Sequence, residues 1–192
     1  MIPRHFQIAI GLLLLTILII GISLTRVPNQ QFVLERGQFG GTGFAGKREE
    51  IRLLVAYDEE QRLRWRYAEA FMPEDRSLRA REAVRSLLAQ YSQNPSPHPI
   101  GKGADVKDVY WIGGDTVVVD MTPQFADGHP SGVLVEQFTI ASLVETLNAN
   151  VAGVSKVKIL INGQEQETLA GHADLMSFYQ TAAVHELIKE FE

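Results

Sequence analysis

The sequence predicts an α+β domain in which two helices pack on one face of a mostly antiparallel or mixed sheet, preceded by one transmembrane helix. Three observations indicate this architecture: two hairpin-like strand pairs, two long apolar helical stripes, and an uncharged apolar run near the amino terminus. The predicted order is strand, strand, helix, strand, strand, helix, strand. Such grouping favours helices on one face of a sheet over alternating βαβ units.

The amino-terminal run, residues 6–25, is twenty residues long and has no charged side chain. A helix of this length can span about 30 Å of hydrocarbon. Its 13 Leu, Ile and Phe residues favour insertion by roughly 4 to 8 kcal/mol, more than the few polar residues cost. The alternative is a cleaved signal peptide, with Gly21 and Ser23 as the small residues before the cut.

The predicted location is the cell membrane, crossed once, with the carboxy-terminal domain outside the cytoplasm. A five-residue tail, residues 1–5, precedes the signal-anchor helix, and such a short tail before a large domain favours export of everything after residue 25. Arg4 and Arg26 flank the helix and add only a weak bias. The absence of cysteine is compatible with either side of the membrane.

The charge balance argues against a nucleic-acid partner. Residues 49–192 carry 22 acidic and 13 basic residues, whereas residues 1–48 carry five basic residues and Glu35. Because phosphate contacts dominate nucleic-acid affinity, an acidic exported domain is poorly suited to DNA or RNA.

A Gly-rich linker, residues 26–48, is predicted to lead into a β-hairpin, because apolar residues alternate on both sides of the turn at residues 58–61. The second strand places Arg62, Arg64 and Arg66 on its other face. A solvated face is the favoured interpretation, and binding of anionic lipid is the alternative. The predicted inward residues are Ile51, Leu53, Val55, Tyr57, Leu63, Trp65 and Tyr67.

Two helices and a central valine strand complete the predicted domain, residues 49–179. The first helix begins near Pro73 and stops at the proline-rich residues 94–99. TVVVDM forms a strand buried on both faces, in a hairpin with VKDVYWIG, and Asn162-Gly163 closes the last strand. Residues 180–192 form an additional amphipathic helix. The predicted helical stripes are Ala80, Ala83, Val84, Leu87, Leu88 and Tyr91, then Val133, Leu134, Phe138, Ile140, Leu143, Val144, Leu147 and Val151.

The histidines after the anchor show no metal-binding spacing, so neither a metal nor a cofactor is predicted. His98 and His129 are interpreted as polar loop residues beside prolines, and His185 as a surface residue. Asp127, His129 and Ser131 supply the three residue types of a catalytic triad within five positions, where productive geometry is rare. Ser131 is therefore interpreted as the amino-terminal cap of the second long helix.

The stretch LINGQEQETLAGHADL, residues 160–175, contains His172 and Asp174. They are interpreted as hydrogen-bonding groups that stabilise a turn. The alternative makes them acids or bases together with Asp120, the carboxylate that ends the valine strand. Replacement of His172 by Ala is accordingly expected to lower stability more than function. No catalytic, cofactor-binding or metal-binding residue is predicted.

Three stretches, GGDTVVVDMTPQF at 113–125, TIASLVETLNANVAGVSKVKILING at 139–163 and ETLAGHADL at 167–175, resemble the GerMN domain, the sporulation and spore germination domain family. The resemblance covers about residues 51–179. It implies an exported, membrane-tethered α+β domain that acts through protein contacts at the cell envelope and has no catalytic residues to carry over. The chain departs from the best-known members by one domain copy and by a helix in place of a lipid anchor.

The sequence thus predicts a non-enzymatic, membrane-anchored interaction or scaffolding domain of the bacterial cell envelope, related to sporulation or germination assemblies. Its partner is an envelope protein or a second copy of the chain. The alternative from another class is a ligand-binding domain or hydrolase acting on cell-wall material. A third reading, a lipid-binding surface at Arg62, Arg64 and Arg66, fits poorly with an acidic domain.

Overall fold

The computed structural model describes residues 46–191, which form six strands and four helices. The predicted tail, the signal-anchor helix and most of the linker lie outside the described residues. None of the helices in the described part of the chain is long and apolar enough to cross a membrane. The elements are β1 Gly46–Tyr57, β2 Arg62–Pro73, α1 Arg76–Tyr91, β3 Val106–Ile112, β4 Thr116–Met121, α2 Gln124–Asp127, α3 Val133–Asn150, β5 Lys156–Ile161, β6 Tyr179–Gln180 and α4 Thr181–Ile188.

The α+β class and the order of the main elements are as predicted, but the strands form two sheets instead of one. Strands β1 and β2 form an antiparallel pair, and the second sheet has the order β3-β4-β5-β6. Within the second sheet only β4 and β5 run parallel, so this sheet is mixed.

The two sheets do not join through β1, because side chains of helices α1 and α3 occupy its second edge. Alternate amides of β1 point away from β2 and donate to an amide oxygen and two hydroxyl groups instead of to a neighbouring strand. The outward amides of β1 are therefore hydrogen-bonded to helix side chains. The three bonds are Arg52 N to Asn150 Oδ1 at 3.0 Å, Leu54 N to Thr146 Oγ1 at 3.1 Å, and Ala56 N to Tyr91 OH at 3.0 Å.

The first hairpin differs from its predicted pattern at both ends. Strand β1 begins at Gly46, so the last three residues of the predicted linker belong to the strand. Leu54 and Ala56 are buried as well as the predicted face, and both long helices contact β1. Tyr67 was predicted to face inward, but 63% of it is exposed, opposite the exposed Arg52 of β1.

Helix α1 begins where its sequence predicts. Asp75 is the N-cap, and its carboxylate accepts from the amides of Ser77 at 3.0 Å and Leu78 at 2.9 Å. All six predicted apolar positions of this helix are buried. The packed stripe confirms that α1 covers one face of the sheets.

The valine strand β4 is central, with β3 and β5 on either side and all six residues buried. The turn after β5 also matches its prediction, because Asn162 and Gly163 both have positive φ, 53° and 75°. Lys158 of β5 is buried, because its ammonium group donates to carbonyl oxygens of the segment that follows the strand.

Helix α3 is buried along most of its length and packs against β1, α1 and α4. Of its predicted stripe only Val133, at the first turn, is exposed. Helix α4 is an integral part of the domain: Val184 and Ile188 are buried, and the Phe191 ring packs edge-on against Phe138 at 5.2 Å.

Candidate protein-interaction groove

Residues 162–178 have little regular structure, and one buried carboxylate, Glu136, holds this segment in place. Glu136 lies in the first turn of α3 and has no exposed surface. Five hydrogen bonds connect the carboxylate to residues of this segment and to the N-cap of α3. The donors to Oε1 are Gly132 N at 3.1 Å and His172 Nδ1 at 2.9 Å; those to Oε2 are Ala170 N at 3.0 Å, His172 N at 2.9 Å and Ala173 N at 2.8 Å.

The ionisation of Glu136 follows from these donors. Burial alone would raise the pKa of its carboxyl group. Hydrogen bonds from Ala173, His172 and Gly132 outweigh that effect and lower the pKa to about 2. Glu136 is therefore a charged anchor at neutral pH, stabilised by amide dipoles in place of water.

Lys158 and Asp174 complete the support of this segment. The Lys158 ammonium group donates to the carbonyl oxygens of Leu175 at 2.9 Å and Met176 at 2.5 Å and pairs with Glu165 at 2.9 Å. The Asp174 carboxylate accepts from the Met176 amide at 2.7 Å. The hydrogen-bonding role predicted for His172 and Asp174 is confirmed, and Glu136 is the partner of His172.

The supported segment forms one wall of a surface groove of about 570 Å³. Helices α3 and α4 form the remaining walls. Phe178 and Leu187 stand at the groove with 51% and 46% of their surfaces exposed, although most apolar residues of the described chain are buried. The lining residues are Gln137, Ile140, Ala141, His172, Ala173, Asp174, Phe178, Tyr179, Gln180, Ala183, Val184 and Leu187.

The chemistry of the groove suits binding better than catalysis. Its floor is apolar, and Gln137 and Gln180 are amides that do not ionise at neutral pH. The two ionisable lining residues, His172 and Asp174, are hydrogen-bonded within the segment and to Glu136. The Tyr179 hydroxyl already donates to the Asp174 carbonyl oxygen, and burial raises the pKa of Tyr179 to about 12. Apolar walls with a few amides can accept bulky side chains of another protein.

The three residues of the hydrolase alternative do not share hydrogen bonds. Asp120 accepts from the Gly163 amide at 2.6 Å and lies 3.7 Å from the Lys107 ammonium group. It therefore closes the turn after β5. His172 and Asp174 serve the segment after that turn, so each of the three has its own structural partners.

The triad of Asp127, His129 and Ser131 is not assembled. Instead, Ser131 Oγ lies 3.5 Å from Nδ1 of a different histidine, His172. The same nitrogen faces Glu136, whereas a catalytic relay uses one ring nitrogen for the serine and the other for the carboxylate. The prediction that Ser131 caps the helix is also wrong. Gly132 is the N-cap, and its amide is satisfied by the Glu136 carboxylate instead of by a serine hydroxyl.

His98 and His129 lie in loops, as predicted, but they are buried and belong to one series of hydrogen bonds. Nε2 of each lies 2.6 Å from the Thr139 hydroxyl oxygen, in the middle of α3. Nδ1 of His98 faces Asp58 at 2.6 Å, and Nδ1 of His129 faces the Pro130 carbonyl oxygen at 2.7 Å. The order Asp58, His98, Thr139 is that of a catalytic relay, but Thr139 is buried and no substrate can reach its hydroxyl group.

The Thr139 hydroxyl group connects the two histidines to the helix backbone. Besides facing both Nε2 atoms, it donates to the Val135 carbonyl oxygen one turn earlier in α3, at 3.1 Å. Burial lowers the pKa of His129, and the charge of His98 acts in the same direction.

The arginines of β2 have local partners. Arg64 pairs with Glu60 and lies over the Tyr57 ring, and Arg66 donates to the Tyr57 hydroxyl at 2.7 Å. His185 is exposed, as predicted, and its Nδ1 lies 3.2 Å from the buried Glu145 carboxylate. Among residues 46–191, no group of three or more His, Cys, Asp or Glu side chains is arranged to hold a metal ion.

The family model "Germane: Sporulation and spore germination" matches residues 51–167, most of the sheet-and-helix layer described above. This chain belongs to the Germane family. The match includes Glu136 but ends before the donors at residues 170–173 and before the wall of the groove formed by α4. The predicted GerMN resemblance is confirmed, while the single domain copy and the membrane anchor stay predictions.

Solved structures similar to this Germane domain include proteins from Clostridium perfringens and Bacillus subtilis. A lipoprotein from Clostridium perfringens shares 17% identity, with a TM-score of 0.48 over 73% of this chain and 93% of that one. The tandem GerMN domains of the sporulation protein GerM from Bacillus subtilis share 19% identity, with a TM-score of 0.49 over 68% of this chain and 45% of that one. The first GerMN domain of the same protein gives 18% identity and a TM-score of 0.40. No curated protein matches.

Proposed function

We propose that this Germane domain is a non-enzymatic interaction domain, held at the outer side of the cell membrane by a helix at residues 6–25. Its role is to bind an envelope protein in an assembly of the sporulation or germination type. The observation that carries the proposal is the groove beside α4, in which Phe178 and Leu187 are left about half exposed. Exposed apolar surface of this kind is typical of interaction sites.

The occupant that fits the groove is a protein segment with bulky apolar side chains. Ile140 and Val184 offer apolar contact at its floor, and the amides of Gln137 and Gln180 can pair with a peptide backbone. The rim is supported from beneath by the charged Glu136 anchor, so the wall is formed before binding. A preformed wall reduces the ordering cost of association.

Crosslinking in living cells, followed by mass spectrometry of the full-length protein, tests this function. We expect the unaltered chain to recover a defined envelope protein, and Phe178→Asp to lose it because a carboxylate would be buried against apolar groups. Val133→Asp is the matched control, since Val133 is equally exposed but is not part of the groove lining. Equal recovery by all three chains, or recovery of nothing above background, would contradict the proposal.

A further inference from the structure

Strand β2 has an outer edge whose backbone groups are open to a further strand. The amides of Arg52, Leu54 and Ala56 donate to helix side chains, so in the β1–β2 ladder the backbone groups of the alternate residues of β1 point towards β2. These alternate residues are Ile51, Leu53 and Val55. The register then turns the backbone groups of Tyr67, Glu69 and Phe71 away from β1. Within residues 46–191 these outward groups have no hydrogen-bond partner.

The open edge consists of the outward backbone groups of Tyr67, Glu69 and Phe71, and it is limited on both sides. At one end the Leu63 amide already donates to the Phe191 carbonyl oxygen at 2.9 Å. At the other end Pro73 lacks an N–H and cannot extend a ladder. Exposed aromatic side chains lie between these limits, with Tyr67 63% and Phe71 48% exposed. A long open edge beside exposed aromatic residues promotes pairing with another strand.

We propose that this edge is an interface between two copies of the chain, joined by antiparallel pairing of their β2 strands about Ala68. Tyr67 of each copy then faces Glu69 of the other, and these two pairs supply about four backbone hydrogen bonds. Phe71 of each copy faces Trp65 of the other as a cross-strand aromatic pair. The two hairpins become one four-stranded antiparallel sheet.

The choice of a second copy rests on how the edge complements itself. Centred on Ala68, the pairing brings no two like charges opposite each other. A register centred on Tyr67 would need the Leu63 amide, which Phe191 already occupies. A register centred on Glu69 would oppose two glutamates and place Trp65 against Pro73, which has no N–H to donate.

The exposed face around the edge also removes a general obstacle to self-association. The domain is acidic, but this face carries a balanced set of charges. Arg48, Glu50 and Arg52 of β1 pair in register with Phe71, Glu69 and Tyr67 of β2 and are exposed on the same face. Arg48 lies 4.0 Å from Glu69, and the Arg52 guanidinium group lies 4.3 Å from the Trp65 ring centroid. Two copies therefore meet without net repulsion at this surface.

This inference deepens the proposed function, because it names a second copy as one partner of the interaction domain. The edge and the groove lie on different elements, so each can fail without the other. Loss of the β2 pairing with continued recovery of an envelope protein would sink only this inference. The reverse result would sink only the groove.

Site-specific disulfide formation in the full-length protein tests the register. The chain has no cysteine, so a single substitution gives a single crosslinking position. Ala68→Cys should crosslink to itself under mild oxidation, because its Cα separation from the second copy would be about 4.5 Å. Tyr67→Cys and Glu69→Cys should not, because each would lie roughly 8 Å from its counterpart. Crosslinking of Tyr67→Cys or Glu69→Cys in preference to Ala68→Cys would overturn the proposed register.

A second substitution separates pairing from folding. The Glu69 N–H points away from β1, so Glu69→Pro removes an outward donor without breaking the β1–β2 ladder. We expect Glu69→Pro to weaken self-association in light scattering by about tenfold or more, while Glu69→Ala retains it. Circular dichroism verifies that both variants are folded. A monomeric unaltered chain at high concentration, or an Ala68→Cys product joined only to another protein, would overturn the proposal.

Discussion

Nδ1 of His172 lies 2.9 Å from Oε1 of Glu136, so a half-exposed imidazole covers a fully buried carboxylate. His172→Ala removes this bond but leaves the backbone donors of the segment, and we expect it to lower the free energy of unfolding by about 1–2 kcal/mol. Chemical denaturation measures the loss. Ser131→Ala is the control, because its 3.5 Å contact with the same nitrogen is too long to contribute. Unchanged stability with lost partner binding would instead give His172 a direct role.

The Glu136 carboxylate predicts a pH dependence of stability. Its pKa of about 2 in the folded chain lies below the ordinary 4.5, so its stabilisation is complete above pH 4.5 and is lost as the pH falls towards 2. The shift corresponds to about 3 kcal/mol at neutral pH. Glu136→Gln should lose an amount of that order at pH 7.

Denaturation of both chains between pH 7 and pH 3 provides the measurement. The difference between the unaltered chain and Glu136→Gln should narrow on acidification, because only the former has a carboxyl group at this position to protonate. Other carboxylates titrate equally in both chains and cancel. A difference that stays constant with pH would contradict the assigned ionisation.

The hydroxyl of Thr146 is the acceptor for the Leu54 amide on the second edge of β1. Thr146→Val preserves the shape but leaves a buried N–H unpaired, which should cost about 1–3 kcal/mol. Thr146→Ser should restore most of the loss. Hydrogen exchange at Leu54 provides a local readout: exchange should accelerate in the valine variant and stay slow in the serine variant. Slow exchange in both variants would show that another group satisfies the amide.

Burial lowers the pKa of His129 in the folded chain below its ordinary value of 6.5. The unfolded chain therefore binds more protons at this residue, and the stability that His129 contributes is lost as the pH falls through about 6.5. His129→Gln should reduce the change in stability between pH 7.5 and pH 5.5. Denaturation at these two pH values measures it. A variant with the full pH dependence of the unaltered chain would assign the effect to other histidines.

The apolar spacing of the sequence predicts the elements because burial of those side chains decides where they lie. The stripe of α1 and the doubly buried valines of β4 are read directly from periodicity. The hydrogen bonds along the second edge of β1 cannot be predicted from periodicity. Arg52 and Asn150 are 98 positions apart, and nothing in the local pattern of either residue reveals their bond. The division into two sheets follows from such long-range bonds. Because they leave no local signal in the sequence, the sequence predicted a single sheet.

The polar interior was underestimated for a related reason. His98 meets Thr139 across 41 positions, so its proline-rich neighbourhood suggested a loop and gave no sign of burial. Glu136 did carry a signal. It interrupts an otherwise apolar first turn of α3, and a charge in a buried stripe needs compensating donors. That observation predicts a structural carboxylate, although it cannot name the donors.

The family match ends at residue 167, whereas four of the five donors to Glu136 come from residues 170–173. A chain shortened to that boundary would keep the ionised carboxylate inside α3 with a single amide to neutralise it. Such a fragment would have to expose the Glu136 carboxylate to water by local unfolding, or protonate it. The unit that folds cooperatively is consequently longer than the family match at residues 51–167. It extends at least through the loop at residues 170–173 that donates to this carboxylate.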